Sequence, residues 1–276
     1  MSDHNGSAPP VTVHRDGVVG HVVLNRPEKR NAMTLAMVSG VARGVRELAE
    51  SGDVEVIVLS ALGEAFSSGG DLGEYKAVTL THDDAWTTMQ IGHDLTNSIE
   101  QCPLLVVARV HGAAHAGGLL FSLCADLTVA AESAVFRVPE LLRARPDPFI
   151  PPRLIAKVGT ERAANLMFTA QPIKAPEAER IGLIARCVPD DQLDAEVAGV
   201  IEAILRTDHN SRTSWKRVLR RGLATIDPWT AIEDFRSDQT ADRARPFVPD
   251  PTSVPNQPSV SDPPSAPATP SAPDQP

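Results

Sequence analysis

Residues 103–140 read PLLVVARVHGAAHAGGLLFSLCADLTVAAESAVFRVPE, and this stretch decides the fold class. A continuous apolar run, Leu104–Val110, leads directly into a loop of small residues, His111–Gly118, and then into a short apolar helix, Leu119–Cys124. A strand made almost entirely of apolar residues is typical of a parallel sheet covered on both faces, so the sequence predicts an α/β fold. Two further short runs are predicted as strands, Asp126–Ala130 and Val135–Arg137.

The same order of strand, small-residue loop and helix occurs earlier, where VEVIVLS (54–60) is followed by AFSSGGDL (65–72). Both loops present main-chain amides at a strand-to-helix junction, where unpaired N–H groups carry a partial positive charge. Such loops stabilise anions or a developing oxyanion, and tight packing is the alternative reason for their glycines. Neither loop has a G-x-G-x-x-G, G-x-x-x-x-G-K-[ST] or G-x-S-x-G motif, which argues against nucleotide-binding loops and a serine hydrolase.

Outside these stretches the sequence predicts a β-hairpin, two long helices and a helical C-terminal half. The hairpin has Val11–His14 and Val18–Leu24 as strands around the turn Arg15-Asp16-Gly17. Thr34 is placed to cap a helix that runs to about Ser51. The remaining predictions are a helix over about 83–100 and a mostly helical pattern from about Pro152.

Composition argues against several classes of function. The net charge is −9 without a basic stripe, and aromatic residues make up only 4% of the chain, which argues against nucleic-acid binding. Three widely spaced cysteines build neither a disulfide framework nor a metal site. The first ten residues do not read as a secretory signal, and no apolar run approaches the ~20 residues of a membrane span. We therefore expect a soluble, cytoplasmic protein that does not act at a membrane.

The two ends of the chain differ in composition from the rest. Residues 1–10 are polar and end in two prolines, so we expect a flexible arm. Residues 246–276 are rich in Pro, Ser, Ala and Asp, contain no Lys or Arg, and bury too little apolar surface to fold. We expect a disordered, solvated tail, with a role as a polyproline ligand as the alternative.

Three motifs together are similar to those of the crotonase (enoyl-CoA hydratase/isomerase) superfamily: LNRPEKRNAM (24–33), AFSSGGDL (65–72) and the stretch 103–140 quoted above. The resemblance spans about residues 11–206. It implies a crotonase-like ββα spiral core over 11–195, followed by a C-terminal helical oligomerisation region over 196–245.

The resemblance also implies an assembly and a ligand. Members form trimers or hexamers, and an apolar set on the C-terminal helix is expected to provide the partner surface: Val197, Val200, Ile201, Ile204 and Leu205. The ligand is an acyl-CoA thioester, so coenzyme A belongs to the substrate and we expect no separate cofactor and no metal.

Roles for individual residues follow from the resemblance by motif position. The thioester oxygen is expected between the backbone amides of Ser68 and Gly117. Contacts to the coenzyme A part of the substrate are expected at a further set of positions: Lys29, Arg30, Ala32, Gly69, Gly70, Asp71 and Leu72. For the two cations, a solvated surface position is the alternative.

The acid–base residues depart from the family pattern. Hydratases of the family carry two glutamates, and the first of these positions is Leu120 here, which has no titratable group. The second is present as Glu140, which we interpret as the general base. Asp147 lies close to the position of an active-site aspartate in some dienoyl-CoA isomerases of the family, with ordinary turn chemistry as its alternative. His115 precedes Gly117 by two residues, and either packs or approaches the acyl group.

These residues leave three functions open. With one firm carboxylate, migration of a double bond in an enoyl-CoA is favoured over hydration, because a single base removes the proton from C2 and returns it at C4. Hydration remains an alternative with Asp147 as the second carboxylate. A protein that binds acyl-CoA without chemistry is the third reading. Leu120 favours that reading, whereas Glu140 argues against it because a pure binder gains nothing from a buried ionisable group.

Overall fold

A computed structural model describes residues 8–74, 82–143 and 147–223 of the chain. Within these residues nine strands form two sheets. The larger sheet contains β1 (Val11–Asp16), β2 (Val19–Leu24), β3 (Val56–Ala61), β4 (Leu105–Val110), β6 (Leu127–Ala131) and β9 (Arg186–Val188). The smaller sheet contains β5 (Ala113–His115), β7 (Val135–Arg137) and β8 (Ile173–Lys174).

The larger sheet is mostly parallel, in the order β1-β2-β3-β4-β6-β9. Only β1 and β2 pair antiparallel, as the predicted hairpin, with Gly17 at a φ of +55° in its turn. The other neighbours pair in parallel, with Val56 opposite Val19 and Leu105 opposite Val56. The prediction of an α/β fold with a buried parallel sheet is therefore confirmed.

Helices follow the strands in chain order. The helices are α1 (Leu35–Glu50), α2 (His82–Glu100), α3 (Gly117–Cys124), α4 (Ile150–Val158), α5 (Thr160–Thr169), α6 (Ala175–Arg180), α7 (Leu193–Leu205) and α8 (His209–Leu223). Thr34 caps α1 as predicted, because its Oγ1 accepts a hydrogen bond from the Met37 amide at 3.1 Å. Such a cap is worth about 1 kcal/mol.

Both faces of the larger sheet are covered, which explains its uninterrupted apolar strands. Alternate residues of β3 point to opposite sides. Ile57 and Leu59 belong to the core that contains α1 and α2, whereas Val56 and Val58 pack with α7. A strand with apolar cover on both sides has no polar face to solvate.

The C-terminal half contains two features that the sequence did not predict. Two short strands, β8 and β9, interrupt the helices after Pro152. In addition, Val197, Val200 and Ile204 of α7 are buried against the chain's own sheet. The prediction that this apolar set needs a partner subunit is therefore wrong, because the sheet of the same chain already covers it. The predicted boundary between residues 195 and 196 falls inside α7.

Three predictions lie wholly or largely outside the described residues: the arm over 1–10, the end of the helical region beyond 223 and the tail over 246–276. The last residues of the arm are an exception. The carbonyl groups of Pro9 and Pro10 accept hydrogen bonds from the side chain and the backbone amide of Asn25, at 3.1 and 2.8 Å. The chain is thus tied to the end of β2 before β1 begins.

Candidate functional site

The loop after β4 turns the chain sharply into α3. Ala116, the residue before this helix, has φ of +54° and ψ of −123°, a conformation that favours glycine and costs on the order of 1–3 kcal/mol in other residues. Its amide donates to the Arg137 carbonyl at 3.0 Å, which holds the turn against β7. The short helix begins at Gly117, two residues before the predicted start at Leu119.

The loop over 65–72 is braced by two buried polar side chains that the sequence analysis did not single out. Asn31 is fully buried, and its side-chain amide donates to the carbonyl groups of Leu62 and Ala65, both at 2.8 Å. Ser67 is also fully buried, and its hydroxyl donates to the Asn31 carbonyl at 2.8 Å. Since buried polar groups are normally hydrogen-bonded, these contacts fix the path of the loop. The sequence did contain a sign that Asn31 is special, because asparagine tolerates the φ of +50° found at this position of RPEKRNA.

The two loops run side by side in the same direction. The Ser67 amide donates to the Ala113 carbonyl at 2.8 Å, and the His115 amide donates to the Ser67 carbonyl at 3.0 Å. Ser67 and Ala114 are thus partners in a parallel bridge. Three residues further along each loop come Gly70 and Gly117.

The backbone pairing of Gly70 decides where its amide points. On one side of the loop, Gly69 and Asp71 bond to Met33: the Met33 amide donates to the Gly69 carbonyl, and the Asp71 amide donates to the Met33 carbonyl, each at 2.8 Å. Because successive peptide groups of an extended chain alternate in direction, the Gly70 amide faces the side opposite Met33. Within the described part of the chain, neither of these two amides donates a hydrogen bond.

The structure corrects the role expected for Ser68. Its amide donates to the Arg30 carbonyl at 3.0 Å and is therefore already engaged. The amides of Gly70, expected only among the substrate contacts, and of Gly117 are free among the described residues. The hydrogen bond of the Ser68 amide therefore argues against the donor role predicted for it.

Close packing explains the glycine at position 69. A Cβ atom there would lie 2.7 Å from the Ala116 Cβ and 3.2 Å from the His115 carbonyl oxygen, at a φ of +98°. The two loops are therefore in close contact at this point, and only a glycine leaves room for it.

Glu140 begins a short 3₁₀ turn directly after β7. Its Oε2 atom is buried and has no hydrogen-bond partner within the described residues. Burial, reinforced by the nearby charge of Asp147, raises the pKa of Glu140 to about 7. Near neutral pH this carboxyl group therefore exchanges its proton readily. Leu120, at the other glutamate position of the family, is buried in the main core.

Asp147 is held by the helix that follows it. Its Oδ1 atom accepts hydrogen bonds from the amides of Phe149 and Ile150, at 2.7 and 3.2 Å, at the start of α4. Burial raises the pKa of Asp147, and the two amide hydrogen bonds oppose that shift. These two hydrogen bonds are those expected of turn chemistry, and the charge of the same carboxylate raises the pKa of Glu140.

The residues expected to contact coenzyme A divide into two groups. Lys29, Arg30 and Leu72 are exposed. Asp71 instead pairs with Arg26 at 3.2 Å and accepts the amides of Gly73 and Glu74, and the Ala32 carbonyl accepts from Arg26 at 2.6 Å. Although burial opposes it, the hydrogen bond from Arg26 lowers the pKa of Asp71. Asp71 therefore serves to hold the loop.

His115 lies two residues before Gly117, and one of its ring nitrogens makes no hydrogen bond to the described residues. Its Nε2 atom is buried without a hydrogen-bond partner among the described residues. Burial lowers the pKa of His115, and the positive charges of Arg137, Arg143 and Arg30 lower it further. The ring is therefore neutral near pH 7.

A search of the described residues found no group of three or more metal-ligating side chains. The same residues contain no helix of the length and apolar character that a membrane crossing demands.

Comparisons with known proteins identify relatives of this chain. A family model described as enoyl-CoA hydratase/isomerase matches residues 14–237. A relative from Dictyostelium discoideum, named probable enoyl-CoA hydratase, mitochondrial, is 34% identical over 196 residues, covering 70% of this chain and 69% of the relative. The chain spans about two thirds of the length of the curated relatives it matches, 69% of this one and 64% of the next.

Solved structures show the same fold. The crystal structure of an enoyl-CoA hydratase from Mycobacterium smegmatis is 27% identical, with a TM-score of 0.75, over 86% of this chain and 93% of that one. A structure from Thermobifida fusca, in complex with CoA, is 27% identical with a TM-score of 0.71, over 84% and 91% of the two chains. The described part of this protein thus has the architecture of these structures.

Proposed function

The chain belongs to the enoyl-CoA hydratase/isomerase family, and from that premise we propose that it moves the double bond of an enoyl-CoA thioester, with Glu140 as the base. The observation that carries this proposal is the buried, unpartnered Oε2 atom of Glu140 in a site whose other glutamate position is Leu120. One carboxyl group with a pKa of about 7 takes a proton from one carbon and returns it to another.

In the proposed reaction the thioester oxygen accepts hydrogen bonds from the amides of Gly70 and Gly117. Removal of a proton from C2 places negative charge on that oxygen, and preorganised donors stabilise the charge as it develops. Each such donor contributes about 2.7–4 kcal/mol in comparable enzymes. The C2–H bond breaks, the electron pair passes through the enolate to C4, and a new C–H bond forms there with the same proton. No electron is gained or lost, so the proposal requires no redox cofactor.

Isomerisation is preferred over hydration for a physical reason. Hydration needs a water molecule oriented and activated between two acid–base groups, and the buried side chain of Leu120 provides neither a hydrogen bond nor a proton. Asp147 already uses one carboxylate oxygen to hold the amides at the start of α4. A base acting alone suffices for the proton shuttle.

The test is incubation with a 3-enoyl-CoA and a 2-enoyl-CoA in separate reactions. We expect the 3-enoyl thioester to gain the ultraviolet absorbance of a conjugated enoyl thioester without a change of mass. A mass increase of one water in the 2-enoyl reaction, without migration, would instead identify a hydratase. Thermal stabilisation by both thioesters with no turnover would identify a non-catalytic binder.

Hydration with Asp147 as second carboxylate is the other candidate, and one observation favours it. The charge of Asp147 raises the pKa of Glu140, so the two carboxyl groups lie close together. The variant Leu120→Glu, compared with Leu120→Gln as a control of similar size without a carboxylate, separates the candidates. If Leu120 sets the reaction type, only the glutamate variant gains hydration relative to isomerisation. Wild-type hydration that is lost in Asp147→Asn would support the second candidate.

We further propose that the protein is a homotrimer or a hexamer. An exposed apolar surface on α8, instead of the expected apolar set on α7, supports this proposal. Lys216 of this helix is buried, whereas Trp215, Val218 and Leu219 are exposed by 77%, 66% and 69%. Three large apolar side chains on one short stretch of surface are typical of an interface. Light scattering at micromolar concentration tests the assembly, and a monomeric mass would contradict it.

A further inference from the structure

Two arginines beside the candidate site have no acidic partner. Elsewhere in the chain, arginines such as Arg26, Arg109 and Arg153 each hold a carboxylate. No carboxylate of the described residues lies within ion-pair distance of Arg137 or Arg143.

Both arginines lie close to His115. His115 and Arg137 are directly opposite in the parallel pair of β5 and β7, so their side chains share one face of the smaller sheet. The Nε atom of Arg137 donates to the Ala170 carbonyl at 2.8 Å, which anchors the guanidinium. Arg143 ends the 3₁₀ turn that Glu140 begins. The buried Nε2 atom of His115, which lacks a partner among the described residues, adds a polar group that a ligand is able to satisfy.

The position of Arg143 indicates which part of a substrate lies here. Burial raises the pKa of Glu140 and the positive charge of Arg143 opposes that shift, so Arg143 acts on the base as well as on His115. The base must reach the acyl carbons, and the cations therefore lie on the acyl side of the thioester. Guanidinium groups favour carboxylates because their donors match both oxygens.

We propose that His115, Arg137 and Arg143 form an anion site that holds a carboxylate at the far end of the acyl group. The substrate is then a CoA thioester of a dicarboxylic acid. This inference rests on the proposed function and names the substrate class for the same site. A phosphate of coenzyme A presents the same chemistry to arginine and is the other source of an anion.

The test compares thioesters that differ only in a terminal methyl or carboxylate: 3-hexenoyl-CoA with 3-hexenedioyl-CoA, and 3-octenoyl-CoA with 3-octenedioyl-CoA. For wild type we expect kcat/KM to favour the carboxylate-ended member of at least one pair by about tenfold or more, the range of a charge-assisted hydrogen bond. Arg143→Gln should lower that ratio by about tenfold. Arg43→Gln, an exposed arginine of α1 without an ion pair among the described residues, is the control and should leave the ratio unchanged.

Calorimetry of the same thioesters and of free CoA distinguishes the ways in which the inference fails. A wild-type preference near one in both turnover and binding would overturn it, even if isomerisation itself is found. An equal loss of affinity for free CoA and for both members of a pair in Arg143→Gln would assign the anion to a phosphate. If no thioester is turned over but the carboxylate-ended ones still bind about tenfold more tightly, the anion site stands and the proposed reaction fails.

Discussion

Two regions of the molecule, a charge cluster and the candidate site, contain carboxylates that differ in their number of hydrogen-bond partners. Beneath α8, a charge cluster consists of Glu100, Asp126, Arg153, Lys216 and Arg220. Asp126 accepts hydrogen bonds from Lys216 at 2.7 Å, from Arg220 at 2.9 Å and from the Val106 amide at 2.8 Å. Glu140, in contrast, leaves its buried Oε2 atom without a partner among the described residues.

This difference in hydrogen bonding indicates that the charge cluster supports the fold, whereas Glu140 is available for chemistry. In the charge cluster, Arg153 donates to both oxygens of Glu100 at 2.7 Å, and Lys216 also donates to the carbonyl groups of Ile99 and Leu104. Every charge has several partners, so the cluster holds α8 onto the body of the protein. A carboxyl group without a partner stabilises nothing in the folded chain and is available to a substrate.

The largest expected effect comes from Glu140→Gln, which keeps the shape of the side chain and removes the base. We expect turnover of enoyl-CoA to fall by about 10²–10⁴-fold, the usual contribution of a general base. Affinity for acyl-CoA should change little, because the amides of Gly70 and Gly117 are untouched. Steady-state kinetics and calorimetry together test this. Wild-type turnover in the variant would show that Glu140 is not the base.

In the charge cluster, Asp126→Asn should act on stability. It leaves Lys216 without its counter-charge and leaves Arg220 only Glu100, at 3.7 Å, and breaking such a buried pair typically costs about 3–5 kcal/mol. Chemical denaturation measures the change in the free energy of unfolding. Glu202→Gln is the matched control, because Glu202 pairs with Arg206 on the exposed surface, where the expected cost is below about 0.5 kcal/mol. Equal effects of the two substitutions would contradict the structural role of the cluster.

The pH dependence of stability should also separate the two regions. The pKa of Glu140 is about 7 in the folded chain and 4.5 for an ordinary glutamate, so ionisation favours the unfolded chain as the pH rises between these values. The advantage of Glu140→Gln over wild type should therefore be absent below about pH 4.5 and grow to about 3 kcal/mol above pH 7. Asp147 is present in both proteins, so the difference isolates Glu140. Thermal unfolding across this range measures it, and a constant difference would contradict the raised pKa.

A smaller effect is expected at the contact between the two loops. Gly69→Ala introduces a methyl group 2.7 Å from the Ala116 Cβ at a φ of +98°, so we expect a loss of about 1–3 kcal/mol and a lower kcat as the Gly70 amide shifts. Gly199→Ala in α7 is the control, since nothing lies within 4 Å of its Cβ position and alanine favours the helix. A variant at position 69 with wild-type stability and kcat would show that this contact does not set the amide geometry.

Much of the fold could be read from local sequence. The apolar run before His111 predicted β4, Thr34 predicted the start of α1, and the turn at Gly17 predicted the first hairpin. These features depend on neighbours along the chain, through side-chain burial, capping and backbone preference. β8 and β9 were missed because two- and three-residue strands carry almost no periodic signal and form only beside partners far along the chain.

The sequence by itself determined the fold class, the family resemblance and the presence of a carboxylate at position 140 with a leucine at 120. Only the tertiary structure decided which amides are free, since the direction of an N–H group follows from the strand that its neighbours pair with. Met33 and Arg30 engage the peptides around Gly70 and thereby exclude Ser68. Likewise, a charged side chain stabilises the fold only where distant segments of the chain supply its hydrogen-bond partners. Without such partners it is available to bind a ligand.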